Sequence, residues 1–312
     1  KFMFAAVITV FLFALSGISN QRVAMRLGAM LGNFVRLTLA TIVLGLIVLV
    51  FFPDSLAKPT FTWYFVSGII GFGLGDVALF IALERIGSRL AVLLTVCLAP
   101  LFAIVLEWLW LGNAITAPVF GATAAILVGV VLALKPGSGV AKSQRRGNPK
   151  VGVIAGVISG LGQGTGAVIS RKAEDVERAF GVDVNGLSAA YQRVMGGLVI
   201  AMIVTGIVWL VRRRNTTAAK KKLDLNQVEI SPKALAFWVL ASAICGPIIG
   251  VSCFQWALET ASSGVVLAIV AMTPIVMMPL AAITEKDHPT RMAIAGAVIA
   301  VAGVSALYYF SA

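Results

Sequence analysis

Residues 61–83, FTWYFVSGIIGFGLGDVALFIAL, contain a single charged side chain, Asp76. A helix rises 1.5 Å per residue and a bilayer's hydrocarbon core is about 30 Å thick, so about 20 apolar residues cross it. The stretch is therefore predicted to be a transmembrane helix with a carboxylate just past its middle. Working outward, similar apolar runs occupy 2–19, 29–52, 89–110, 115–134, 150–170, 186–211, 234–258, 262–284 and 291–311. Mean hydropathy is +0.98, and only 12% of residues are charged against 59% hydrophobic. Charged residues make up about a quarter of a typical soluble chain, so this composition excludes a soluble domain. The expected fold class is an all-α polytopic membrane protein with ten transmembrane helices.

Turn signals separate the runs: Pro53-Asp54, Gly87-Ser88, Gly112-Asn113, Pro136-Gly137 and Asp287-His288-Pro289. A basic stretch at 135–149 divides the chain into halves, 1–134 and 150–312, and a second basic loop covers 212–233. The halves resemble each other. Phe80 to Glu84 aligns with Phe254 to Glu259 at a shared Ala-Leu-Glu end, Pro100 corresponds to Pro274, Gly129 to Gly303, and Arg36 to Arg193. Arg26 and Arg171 each close the first span of their half. Five spans per half is an odd number, so the second half enters the membrane the other way up. Such inverted repeats build many secondary transporters, with the site near the midplane.

Twelve of the 25 Lys and Arg lie in 135–150 and 212–233. No aromatic interleaving or recognition module accompanies them, so they are read as topology signals and no nucleic-acid partner is expected. Counting bordering residues, the odd-numbered connectors carry 18 Lys and Arg and the even-numbered ones 4. Taken alone, this count puts the odd connectors in the cytoplasm and both termini outside. It also makes Asn215-Thr216-Thr217 a cytoplasmic segment and not a glycosylation site. Single cysteines at Ser143 and Thr217, in a background without Cys97, Cys245 and Cys253, are then expected to resist an impermeant thiol reagent in intact cells. Labelling of both without permeabilisation reverses the orientation. The three native cysteines form no CxxC or Cys/His cluster, and His288 is a lone histidine in a polar turn, so no metal site or other cofactor is expected.

An ionised carboxylate at the bilayer centre costs about 2.5–3.5 kcal/mol on insertion scales. Asp76 is thus either a substrate contact or proton carrier, or the structural partner of a cation such as Arg36. Glu107, near Trp108 and Trp110, reads as an interfacial residue as readily as a site. Arg36 and Arg193 sit about two turns inside their helices; they either snorkel to the interface or bind an anionic group. Gln163 lies in Gly160-Leu161-Gly162-Gln163-Gly164-Thr165-Gly166-Ala167. Residues 162–167 fit G-x-G-x-x-A formally, but that fingerprint needs a soluble βαβ unit. The small residues instead let helices approach closely, leaving Gln163 either to contact substrate or to bond a neighbouring helix. Gln255 and Trp256 read as substrate contacts or, for Trp256, as an interface anchor. Pro100, Pro247 and Pro274 interrupt helices and are candidate hinges or static kinks.

Gly71-Phe72-Gly73-Leu74-Gly75-Asp76 through Ala82-Leu83, then Pro100, Leu111-Gly112-Asn113 and a glycine-rich fifth span, resemble the EamA-type fold of the drug/metabolite transporter superfamily; 245–311 repeats the pattern. One departure is Asn113, where such halves often carry glutamate; Glu285 or Asp287 takes that place in the second half. The resemblance implies cytosolic termini, the reverse of the charge count. It also implies a secondary transporter in the cytoplasmic (inner) membrane, exporting a small polar, amino-acid-like metabolite by alternating access, with no enzymatic activity. No P-loop is present, so energy is expected from a gradient, with protons as a candidate partner, or from the substrate itself; Asp76 is the candidate for proton coupling or for binding a cationic group. A passive channel or non-transporting scaffold is the main rival. A membrane enzyme would need clustered carboxylates, histidines or a metal site, and the sequence offers none.

Overall fold

The computed structural model describes residues 2–57, 59–111, 117–133, 147–182, 184–214, 231–260, 266, 269–286 and 288–311. Most of both basic connectors, Asn113, Asp287 and the side chains of Glu107 and Glu259 lie outside them. Among the described residues every regular element is a helix, with no β-strand. In lipid, a helix satisfies its own backbone hydrogen bonds, which is why apolar runs of this length fold this way.

The helices are α1 (Phe2–Leu27), α2 (Ala29–Phe51), α3 (Phe61–Gly68), α4 (Asp76–Leu111), α5 (Ala117–Ala133), α6 (Pro149–Phe180), α7 (Gly186–Arg214), α8 (Pro232–Ala243), α9 (Ile249–Thr260), α10 (Thr273–Thr284) and α11 (Arg291–Ser311). A π-helical turn, Ile69–Gly75, joins α3 to α4, and another, Ile244–Ile248, joins α8 to α9. Among the described residues, six stretches are long and apolar enough to cross a membrane: Phe4–Leu27, Ala29–Phe51, Phe61–Leu106, Pro149–Phe180, Gly186–Val211 and Pro232–Ala257. The third has 46 residues and is broken at Gly87. Ala117–Ala133, Thr273–Thr284 and Arg291–Ala306 are shorter apolar helices.

Several boundaries differ from the expected ones. The first helix does not end at 19 but runs to Leu27, and Gly28 alone separates it from α2. Gly28 (φ 85°) and Gly87 (φ 82°) adopt backbone angles that side chains disfavour, so each breaks a rod without needing a loop. The helix that follows each break offers an open amide to a carboxylate from elsewhere: Ala29 N–H donates to Glu84 Oε1 (2.8 Å) and Ser88 N–H to Glu285 Oε2 (3.2 Å). Helix α6 runs past Arg171 to Phe180. It starts at Pro149 behind an Asn148 cap and stops at left-handed Gly181.

The polarity is inside out. Phe120, Leu46 and Ile283 face outward, whereas Arg36, Asp76, Arg193, Gln192 and Gln255 are buried. Glycines let the inner helices meet backbone to backbone. A Cβ on Gly162 would stand 2.7 Å from Gly75 Cα, and one on Gly303 would stand 2.9 Å from Ile126 N. Helix α6 therefore lies directly on the Ile69–Gly75 turn, and α11 on α5.

Candidate functional site

Between these helices lies a cavity of about 140 Å³, room for more than a single water. Its walls come from α1, α2, α4, α6, α7, α9, the two π-helical turns and Val270, which precedes α10. Neither α5 nor α11 reaches it. Asp76, Arg36, Gln163, Arg193 and Pro247 all line it.

Asp76 opens α4 directly after the Ile69–Gly75 turn and is 2% exposed. Its Oδ2 accepts from Arg36 Nη2, and its Oδ1 accepts from Gln163 Nε2 at 3.1 Å. Gln163 Nε2 also reaches the Gly71 carbonyl at 3.3 Å. Arg36 donates as well to Asn33 Oδ1 (3.2 Å), and its guanidinium lies 5.2 Å from the centre of the Phe80 ring.

Arg193 has different company. Its Nη1 donates to Gln255 Oε1 at 2.9 Å, its guanidinium lies 5.1 Å from the Phe72 ring centre, and its Nε is buried without a partner. Among the described residues no carboxylate lies within ion-pair distance of it. Snorkelling is overturned for both arginines: each is 3% exposed and points inward. Partners inside the bundle set this outcome: Asp76, Asn33 and Phe80 for Arg36, and Gln255 and Phe72 for Arg193.

The two arginines occupy related settings. Phe80, against Arg36, aligns in sequence with Gln255, against Arg193. Each guanidinium also rests beside a glycine of the other half's π-helical turn. A Cβ on Gly246 would come within 3.1 Å of Arg36 Nη1, and one on Gly71 within 3.5 Å of Arg193 Nη2. The settings differ in charge: Arg36 has a carboxylate, Arg193 an amide carbonyl.

Trp256 is not brought to the site. It is 46% exposed, whereas its neighbour Gln255 is 2% exposed, because successive residues on a helix point about 100° apart. Pro100 lies inside α4, and Pro247 sits in a π-helical turn against the cavity. Pro274 is not a mid-helix kink; it occupies the first turn of α10, where its missing N–H costs nothing.

Ser16 and Asn20 of α1 also line the cavity and were missed as site residues. Asn20 Nδ2 donates to Ser16 Oγ (3.4 Å), and Ser242 Oγ donates to Asn20 Oδ1. Two polar residues four apart in an apolar run were the available signal. Phe72 and Phe80 carried none, since an aromatic over an arginine looks like any other apolar residue.

A family model described as the EamA-like transporter family matches residues 1–135 and again 150–309. The chain belongs to the EamA-like transporter family. It is an integral membrane protein of a family of transporters. No curated protein matches the sequence. Among solved structures, one described only as the crystal structure of a protein is 17% identical, with a TM-score of 0.59 over 98% of this chain and 94% of that one. At that identity the likeness concerns the fold alone. The two family matches meet across the cavity: Arg36 and Asp76 come from the first, and Gln163, Arg193 and Pro247 from the second, with Gln255 of the second behind Arg193.

Proposed function

We propose that this chain is a secondary transporter that moves a small polar, amino-acid-like metabolite by alternating access, with export as the direction carried over from the resemblance. The supporting observation is a cavity of about 140 Å³ that buries Arg36, Asp76 and Arg193 between the two family-matched halves. The proposed architecture is ten transmembrane helices in two inverted five-helix repeats, 1–134 and 150–312, flanking the 135–149 connector. The paired π-helical turns and the crossed settings of Arg36 and Arg193 support that pairing. Pro247, at the cavity wall, is the proposed hinge; a π-helical turn is already a departure from regular helix and is frequent at functional sites. Asp76 is the proposed proton carrier, since neutralising it would release Arg36 into the cavity. No enzymatic activity belongs to this reading, and the cytoplasmic membrane is the proposed location.

Proteoliposomes loaded with the small-metabolite fraction of a cell extract test it. Efflux of at least one compound is expected, measured by mass spectrometry, and faster when that compound is also present outside. A carrier shows such trans-stimulation because its cavity returns loaded. Efflux that ignores the external solute indicates a channel, and no protein-dependent efflux of any compound refutes transport.

A further inference from the structure

Charge among the described residues of the cavity does not balance. Their ionisable lining groups are Arg36, Asp76 and Arg193, two guanidinium cations and one carboxylate. Both oxygens of Asp76 are already engaged, one by Arg36 and the other by Gln163. Arg36 is thereby compensated. Arg193 is left with the Gln255 carbonyl, the face of Phe72 and a buried, unpartnered Nε. Asp76 and Glu174 act on Arg193 only through space, beyond ion-pair distance, and the nearby described carboxylates of α6 are engaged elsewhere. Glu177 accepts from Tyr64 (2.8 Å), Glu174 faces Arg178 (4.0 Å), and neither lines the cavity. An uncompensated guanidinium held away from water is strongly unfavourable, so an entering anion gains more here than it would at a paired site. Much of the remaining wall is apolar, including Phe13, Val96, Val251 and Phe254.

We propose that the cavity selects small organic monoanions with a partly apolar body, whose carboxylate becomes the counter-ion of Arg193. This rests on the carrier reading above and narrows its amino-acid-like solutes to those whose amino group carries no charge. A cationic compound meets a cavity that is already positive. A zwitterion gains at Arg193, but its ammonium finds Asp76 occupied by Arg36 and Gln163. The monoanion is favoured over both.

The test varies charge on one skeleton. N-acetylvaline is an anion, valine a zwitterion, N-acetylvalinamide neutral and valinamide a cation. Thermal stabilisation and calorimetric binding are measured for each with the purified full-length protein in detergent. N-acetylvaline is expected to stabilise the wild type and to bind more tightly than the other three. Arg193→Gln is expected to weaken its binding about tenfold or more, in line with losing a charged hydrogen-bonding partner, while Arg193→Lys retains part of it. Should Arg193→Gln fail to fold, the wild-type charge series and Arg193→Lys carry the test. Equal binding of N-acetylvaline and its neutral amide, tighter binding of valine or valinamide, no binding by any of the four, or an undiminished anion response in Arg193→Gln each overturns the assignment. Those failures leave the metabolite-efflux result standing, so the substrate class and the carrier reading are judged separately.

Discussion

Asp76→Asn is expected to destabilise the protein by about 3–5 kcal/mol, because it strands Arg36 as a buried, unpaired cation. Arg36→Gln is expected to cost about as much by stranding the carboxylate. Both side chains are almost fully enclosed, and among the described residues the Gln163 amide is the second hydrogen-bond partner of Asp76. Combining the two substitutions removes both charges together and leaves neutral amides able to bond each other. The double variant is therefore expected to recover most of the loss, so that its cost falls far below the sum of the single costs. Unfolding midpoints of the four purified proteins check this, and simple additivity would dissolve the pair as an energetic unit. Transport separates a structural from a coupling role. If Asp76 carries the proton, the refolded double variant exchanges substrate but no longer accumulates it against a gradient. Full gradient-driven accumulation by that variant would remove Asp76 from the coupling step.

The second large effect is steric. Gly162→Val is expected to prevent close packing of α6 on the Ile69–Gly75 turn. The added Cβ would stand 2.7 Å from Gly75 Cα, 3.0 Å from Gly75 N and 3.1 Å from the Ile70 carbonyl, all backbone that no rotamer change can relieve. Overpacking of this kind costs about 1–3 kcal/mol or more. It also carries the adjacent Gln163 away from Asp76, so ligand binding is expected to fall with stability. Gly206→Ala, at a position with nothing within 4 Å of the new carbon, is the control and is expected to behave as wild type. Equal stability of the Gly162 and Gly206 variants would show that α6 and the turn tolerate separation.

The two predictions differ in how far the sequence already pointed to them. Asp76 stands out in one dimension because a carboxylate in an apolar run is costly wherever the helix lies. Arg36, Arg193 and Gln163 stand out for the same reason, and so does the division into two matching halves. Insertion cost and hydropathy depend on composition along a segment and not on its neighbours. The membrane-spanning class, the helical content and the short list of inward polar residues were legible on those terms.

What each polar residue touches was not legible. Arg36 was an interface residue or a site residue until the packing of α2 on α4 set it against Asp76. Gln255 and Trp256 are neighbours of equal promise in sequence, and only the rotation of α9 puts one inside and the other out. Pro274 looked like the partner of Pro100, but the helix break before Thr273 moved it from a kink to a helix start. Partner choice depends on helix tilt, rotation and register, and those follow from close approach at glycines such as Gly68, Gly162 and Gly196, whose contacts lie a hundred or so residues away in sequence. The sequence alone determined that a membrane protein would bury a few charges among apolar helices. Tertiary packing decided that one arginine would be paired with a carboxylate and the other with an amide, because only assembled helices bring side chains from 36, 76, 193 and 255 within hydrogen-bonding range.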